Sequence, residues 1–244
     1  MAPVTRRPST YREGRRPVKE TTSGDAKAAP KRSAAARPVR TREADVTRRR
    51  ILDAAKAEFA RLGLAGARVD AIAARAKANK RMIYHYFGSK EGLYVAVLED
   101  AYGAIRAAEQ QLRLADLPPQ EAIRQLVEFT WGYFIRNPEF LTLVNTENLY
   151  RARYLKKSRV IRDLHTPLIS MVGSILERGV AAGVFREGLD PVQVNLTIAA
   201  IGYHYLNNRY TGSIIYDRDL GTPDALDARL AFNVDTVLRL LRKD

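Results

Sequence analysis

The chain contains no cysteine. That removes disulfides, thiolate metal sites and cysteine nucleophiles together, and it suits a reducing cytoplasm. No apolar run approaches the roughly 18 residues needed to cross a bilayer, and the N-terminus lacks the apolar core of a signal peptide. A cytoplasmic protein with no membrane partner is expected. There is no nucleophile elbow, glycine-rich phosphate loop or paired carboxylate with a catalytic role, and the three histidines, at 85, 165 and 204, lack metal-ligand spacing. Neither an enzyme, nor a metal, nor a cofactor is expected. Strand alternation and repeats of about 20 to 50 residues are also missing, so the expected fold class is all-α.

What is present is positive charge, unevenly placed. The 244 residues carry a formal charge of +14. Residues 1–40 hold 11 Lys/Arg against 3 Asp/Glu and residues 41–90 hold 12 against 5, leaving 18 against 19 for residues 91–244. A basic third on a neutral remainder points to a polyanion bound at one end, and on charge alone DNA, RNA and anionic lipid all fit. Residues 1–44 contain five prolines, and Val4 and Val18 are the only aliphatic residues larger than Ala before Val39. They are expected to form a disordered basic arm, either adding nonspecific phosphate contacts or serving as a solvated extension.

From Asp45 a helix is expected, with Ile51, Ala55, Phe59 and Leu62 as its apolar stripe and Gly63 at its end; Arg48, Arg49 and Arg50 crowd its first turns, the unfavourable end of the helix dipole. The informative stretch follows, Arg68 to Leu93. Val69, Ile72, Ala73 and Ala76 mark one buried helical face, and Asn79 can cap a second helix. That helix exposes Lys80, Arg81, Tyr84 and His85 and turns Ile83 and Phe87 inward, a surface suited to a phosphate-lined groove.

Beyond it, Ser89 can cap a long helix carrying Tyr94, Leu98, Ala101, Ile105, Ala108 and Leu112. A helix from Pro119 closes at Asn137-Pro138, and a third run extends from Glu139 to about Tyr154. Pro167 should kink the next helix or divide it in two. Asp190-Pro191 starts a helix to about Asn208 that is apolar nearly all round and must be covered on two sides. A last helix from about Pro223 carries Leu230, Val234, Val237, Leu238 and Leu241.

The stretch from about Asp45 to Ala104 resembles the DNA-binding domain of TetR-type bacterial transcriptional regulators. The resemblance rests on F-A-R-L-G (Phe59–Gly63), on a second helix of the type V-x-x-I-A, and on Y-H-Y-F-G-S-K-E-G-L (Tyr84–Leu93). Two departures are Lys77, where the family usually turns on glycine, and Arg81, where a small residue is common. More loosely, the chain is similar to the members controlling pyrimidine and nicotinate breakdown.

The resemblance implies a three-helix helix-turn-helix domain over residues 45–104, with the motif at about 68–87, and a helical C-terminal effector-binding and dimerisation domain over residues 105–244. It implies a sequence-specific regulator, a repressor released from a pseudo-palindromic double-stranded DNA operator by a small-molecule effector; an activator, or a nonspecific nucleoid-associated protein, is the alternative. The helix from Lys80 to Phe87 would then enter the major groove. Arg81 would read guanine, Lys80 a guanine or a phosphate, and Tyr84 and His85 a backbone phosphate or a thymine methyl, with Lys90, Arg68 and Asn79 completing the DNA-facing set. Tyr86 and Phe87 go to the core. Pairing of the last two helices with their copies would form a homodimer, with Gly202 permitting close approach. Polar residues among apolar ones, Trp131, Asn145, Asn148, Arg151, His165, His204 and Asn207, would orient a planar aromatic or anionic effector, Arg151 holding a carboxylate.

Overall fold

The structure, a computed structural model, describes residues 39–243; of the arm expected over residues 1–44, residues 1–38 lie outside them, while residues 39–44 belong to the first helix and not to an arm. Among the described residues there are nine α-helices and no strand, only an isolated bridge between Phe185 and Arg242. No helix among them is long and apolar enough to cross a membrane.

α1 (Val39–Gly66) begins earlier than Asp45, so Arg48, Arg49 and Arg50 lie well inside the helix and the expected conflict with its dipole disappears. Gly63 adopts φ 65° and ψ 177°, a conformation open to glycine, and bends the chain there. The bend turns Leu62 outward, so it leaves the expected stripe, while Ile51, Ala55 and Phe59 are buried. α2 (Val69–Arg75) and α3 (Lys80–Phe87) form the helix-turn-helix as expected, joined through Lys77, whose φ of 48° is left-handed.

α4 (Lys90–Gln110) starts on Ser89, whose hydroxyl accepts the Gly92 N–H at 2.9 Å. It stops before Leu112; Arg113 turns left-handed into a short 3-10 turn at Leu114–Asp116. Tyr94, Leu98, Ala101 and Ile105 are buried as expected. α5 (Pro119–Arg136) buries Ile123, Leu126, Val127, Thr130 and Phe134 on one face. α6 (Pro138–Leu149) ends short of the expected Tyr154, because Arg151 and Ala152 take left-handed φ of 55° and 56° and begin a turn. α7 (Val160–Ala181) runs through Pro167 without dividing. α8 (Pro191–Ile215), capped by Asp190, extends past Asn208, and α9 (Pro223–Leu241) closes the fold.

Two buried clusters hold these helices. One joins the helix-turn-helix to α4, α5 and α6 through Phe59, Ile72, Ile83, Leu93, Tyr94 and Phe140. The other packs α5, α7, α8 and α9 around Ile123, Val172, Ile175, Ile198 and Val237. Each large apolar side chain so buried contributes about 1.5–3 kcal/mol. The first cluster spans the expected boundary near residue 104, so α4 shares one core with both halves.

Candidate DNA-binding surface and effector cavity

α3 presents a polar face because its short amphipathic repeat turns Ile83 fully inward. Tyr86 and Phe87 pack half-buried against the core, as expected. Arg68, Asn79, Lys80, Arg81, Tyr84 and His85 are exposed, and Lys90 is half-buried beside them. Asn79 accepts the Arg81 N–H through Oδ1 at 2.8 Å, so its side chain caps the helix. Lys80 Nζ lies 2.8 Å from Asp70 Oδ1, and this contact raises the lysine pKa and lowers that of the aspartate. Lys90 Nζ donates to the Ala65 carbonyl at 3.3 Å, bracing α4 against the end of α1. Among the described residues the Arg81 guanidinium makes no hydrogen bond or ion pair, and it is exposed.

Two arginines of α1 serve the domain itself. Arg48 lies over the Phe87 ring at 5.3 Å, and Arg49 contacts Asp53 and, at 2.5 Å, Asp100 of α4.

A cavity of about 400 Å³ opens between α4, α5, α6, α7 and α8, a volume within the usual range for a small ligand. Ile105, Phe134, Phe140, Val144 and Ile198 make its walls apolar. Its polar groups are few: Arg106, Glu109, Tyr102, His165, Asn148 and Tyr203 are the principal ones. Arg106 Nη2 and Glu109 Oε1 pair at 2.9 Å with side chains only 11% and 6% exposed. Burial pushes the Glu109 carboxyl up to about 7, which the Arg106 charge offsets in part, and burial lowers the Arg106 pKa. His165 Nδ1 lies 2.9 Å from the Ile161 carbonyl; the geometry assigns the proton to Nδ1, and burial lowers the ring's pKa.

Of the seven residues expected around an effector, Asn148 and His165 line this cavity. Trp131 does not: it is buried against Tyr205 and beside Gly202. Asn145 bonds Asn207 and the Tyr203 hydroxyl, so it steadies a lining residue from behind. Arg151 is exposed in the turn after α6, away from the cavity walls, because that helix ends early. His204 and Asn207 lie on the exposed side of α8. Gly202 also differs from expectation, since the space beside its Cα is filled by Trp131 and Phe134 of the same chain.

Arg106 and Glu109 were missed by the reading of the sequence, yet a signal existed. Glu109 sits four residues after Ile105 on the buried face of α4, a carboxylate in an apolar stripe.

Known proteins share both halves of this architecture. Residues 51–97 match the family described as bacterial regulatory proteins, tetR family, and residues 119–237 match tetracyclin repressor-like, C-terminal domain. The HTH-type transcriptional repressor NicS of Pseudomonas putida is 42% identical over 205 residues, covering 84% of this chain and 97% of NicS. The chain belongs to the TetR family. It is a sequence-specific DNA-binding transcriptional regulator of that family.

Another relative, the HTH-type transcriptional repressor SCO4008 of Streptomyces coelicolor, is 36% identical over 142 residues, covering 57% of this chain and 69% of SCO4008. The crystal structure of the transcriptional regulator SCO4942 from Streptomyces coelicolor superposes with a TM-score of 0.61 at 28% identity, covering 80% of this chain and 98% of that one. The two TetR-family segments leave out residues 98–118, and with them Arg106 and Glu109.

Proposed function

We propose that this TetR-family regulator is a homodimeric repressor, released from a pseudo-palindromic operator when a small planar ligand fills the cavity. One observation carries the reading: α4 begins beside the exposed face of α3 with Lys90 and ends among the cavity walls with Arg106 and Glu109. A helix of 21 residues spans about 30 Å, so a tilt at one end displaces the other. A ligand that binds better to the tilted arrangement weakens DNA binding by the same factor.

In the DNA-bound form α3 enters the major groove with Arg81 at a guanine edge, while Lys80, Tyr84, His85, Lys90 and Arg68 meet backbone or neighbouring bases. Asn79 acts through the helix it caps. The dimer surface is the outward side of α8 and α9, where Leu196, Tyr210, Ile214, Ile215 and Phe232 are large, apolar and exposed. Pairing there sets two recognition helices about 34 Å apart, one DNA turn. The relationship to two proteins named as repressors supports repression over activation.

The test is operator affinity. Gel shifts on the DNA upstream of the gene, with excess random competitor, should show a specific complex that a cavity-binding compound dissociates. Phe232→Arg should shift the protein to monomer in sedimentation and weaken the complex. Equal operator affinity with and without a saturating cavity ligand would sink the release mechanism.

A further inference from the structure

The cavity contains one buried charge pair, and that pair is incomplete. Arg106 spends Nη2 on Glu109, while its Nε and Nη1 are buried without a hydrogen-bond partner. Buried guanidinium donors are costly to leave unmatched, and a carboxylate is the anion that fits them. The apolar walls beside them, with Phe134 and Phe140 stacked at 6.0 Å, suit a flat ring. A carboxylate entering there meets a second one. Arg106 and Glu109 together are neutral, so an added anion leaves a net negative charge in a medium of low dielectric, where it is expensive.

Among the described residues, the other titratable groups around the Arg106–Glu109 pair offer no second cation. Tyr102 comes from α4 and Tyr133 from α5, both phenols held neutral by burial, as is Tyr203 on α8. His165 on α7 is biased toward its neutral form by burial and the nearby Arg106 charge. Apolar Leu164, Leu168 and Met171 complete the α7 side. The group best placed to restore neutrality is Glu109, already near the middle of its titration at neutral pH.

We propose that the cavity binds an aromatic carboxylate on Arg106 together with one proton, which Glu109 takes from solvent. This rests on the cavity being the effector site and names what enters it. The acid binds as its anion, the proton ends on a Glu109 oxygen, and the occupied cavity is neutral overall.

The probes are benzoate and 2-naphthoate, with benzamide and 2-naphthamide as neutral counterparts of the same shape. Calorimetry on the intact protein at pH 8, in two buffers of different ionisation enthalpy, reads affinity and protons together. An acid should bind at least about tenfold more tightly than its amide. Close to one proton should be taken up per acid, with affinity falling about tenfold per unit of pH above neutrality. These measurements need no variant. Glu109→Gln should bind the acid without proton uptake and with a flat pH profile, and Arg106→Met should lose the preference for acid over amide.

Equal affinity for acid and amide, no binding by either acid at millimolar concentration, or acid binding without proton uptake would overturn the proposal. So would proton uptake that survives Glu109→Gln and vanishes in His165→Asn. Operator release is scored separately. Acids that bind with a proton but leave the operator complex intact would refute the effector-site reading alone, whereas an amide that binds and releases DNA as well as its acid would refute the ligand class alone.

Discussion

Glu109→Gln should change how folding stability depends on pH. Glu109 is 4% exposed, and burial moves its carboxyl from the usual 4.5 to about 7, with Arg106 offsetting only part of that cost. In the unfolded chain it titrates near the ordinary value. Between pH 4.5 and about 7 the folded state therefore holds a proton that the unfolded state has lost, and stability falls as pH rises through that window. The contribution is fully present below 4.5 and gone above about 7. A displacement of that size corresponds to about 3 kcal/mol, of which about 2.5 kcal/mol falls between pH 5 and 8. Glutamine keeps a carbonyl oxygen for the Arg106 N–H but cannot titrate. Urea unfolding of both proteins across pH 5 to 8, at one protein concentration because a dimer's stability depends on it, isolates the effect. Stability of the variant minus that of the wild type should rise by about 2.5 kcal/mol toward pH 8. Profiles that stay parallel within about 0.5 kcal/mol, or that converge in the opposite sense, would show that Glu109 ionises normally and refute the reasoning.

Three further outcomes are expected. Lys77→Gly relieves a left-handed side chain at φ 48° and should stabilise the protein by about 1 kcal/mol in thermal melting; a loss would mean that the lysine side chain holds the turn. Gly179→Ala would bring a Cβ within 1.9 Å of the Phe185 ring, which is 2% exposed, so it should cost about 1–3 kcal/mol; unchanged melting would show that the ring moves freely. Asp70→Asn releases Lys80, so operator binding should tighten and the slope of log affinity against log salt should steepen by about one, and an unchanged slope would mean that Lys80 meets no phosphate.

Much of the fold was legible because its helices announce themselves locally. Ser89, Asn79 and Asp190 cap the helices expected of them, and Asn137-Pro138 divides α5 from α6 where it should. Helix ends set by tertiary contact were harder to read. α8 continues past Asn208 through Gly212, whose position against Leu220 has no signature in a periodicity count. Pro167 is tolerated inside α7, where it sits exposed. The exposed polar residues of α3 were legible because exposure on a short amphipathic helix follows from its apolar spacing. The cavity was not, because it depends on which faces of five helices converge. Polar residues on α8 were assigned inward, but Gly202 and Leu206 take the inward positions, leaving His204 and Asn207 outside.

α4 is held differently at its two ends, and that difference gives a ligand something to act on. Near the N-terminus, Tyr94 packs edge-on against Phe59 of α1 at 5.1 Å and against Tyr154 at 5.4 Å. Glu147 of α6 accepts the N–H groups of Tyr154 and Leu155, which fixes the turn against this ring. Arg49 adds a tie from α1 to Asp100. This end therefore packs with the helix-turn-helix as one body. At the other end, α4 meets α7 across a cavity, with Tyr102 against Phe140 at 5.3 Å and His165 at 5.6 Å. Packed cores resist small displacements, whereas a cavity wall lacks partners on one side and yields. Under the proposed release mechanism, filling the cavity would move the cavity-facing end of α4, and a displacement carried along the helix would reach Lys90 and α3. In that proposal the less fully packed end of α4 lies beside the cavity and the fully packed end beside α3, so a change in cavity occupancy would become a change in the position of α3.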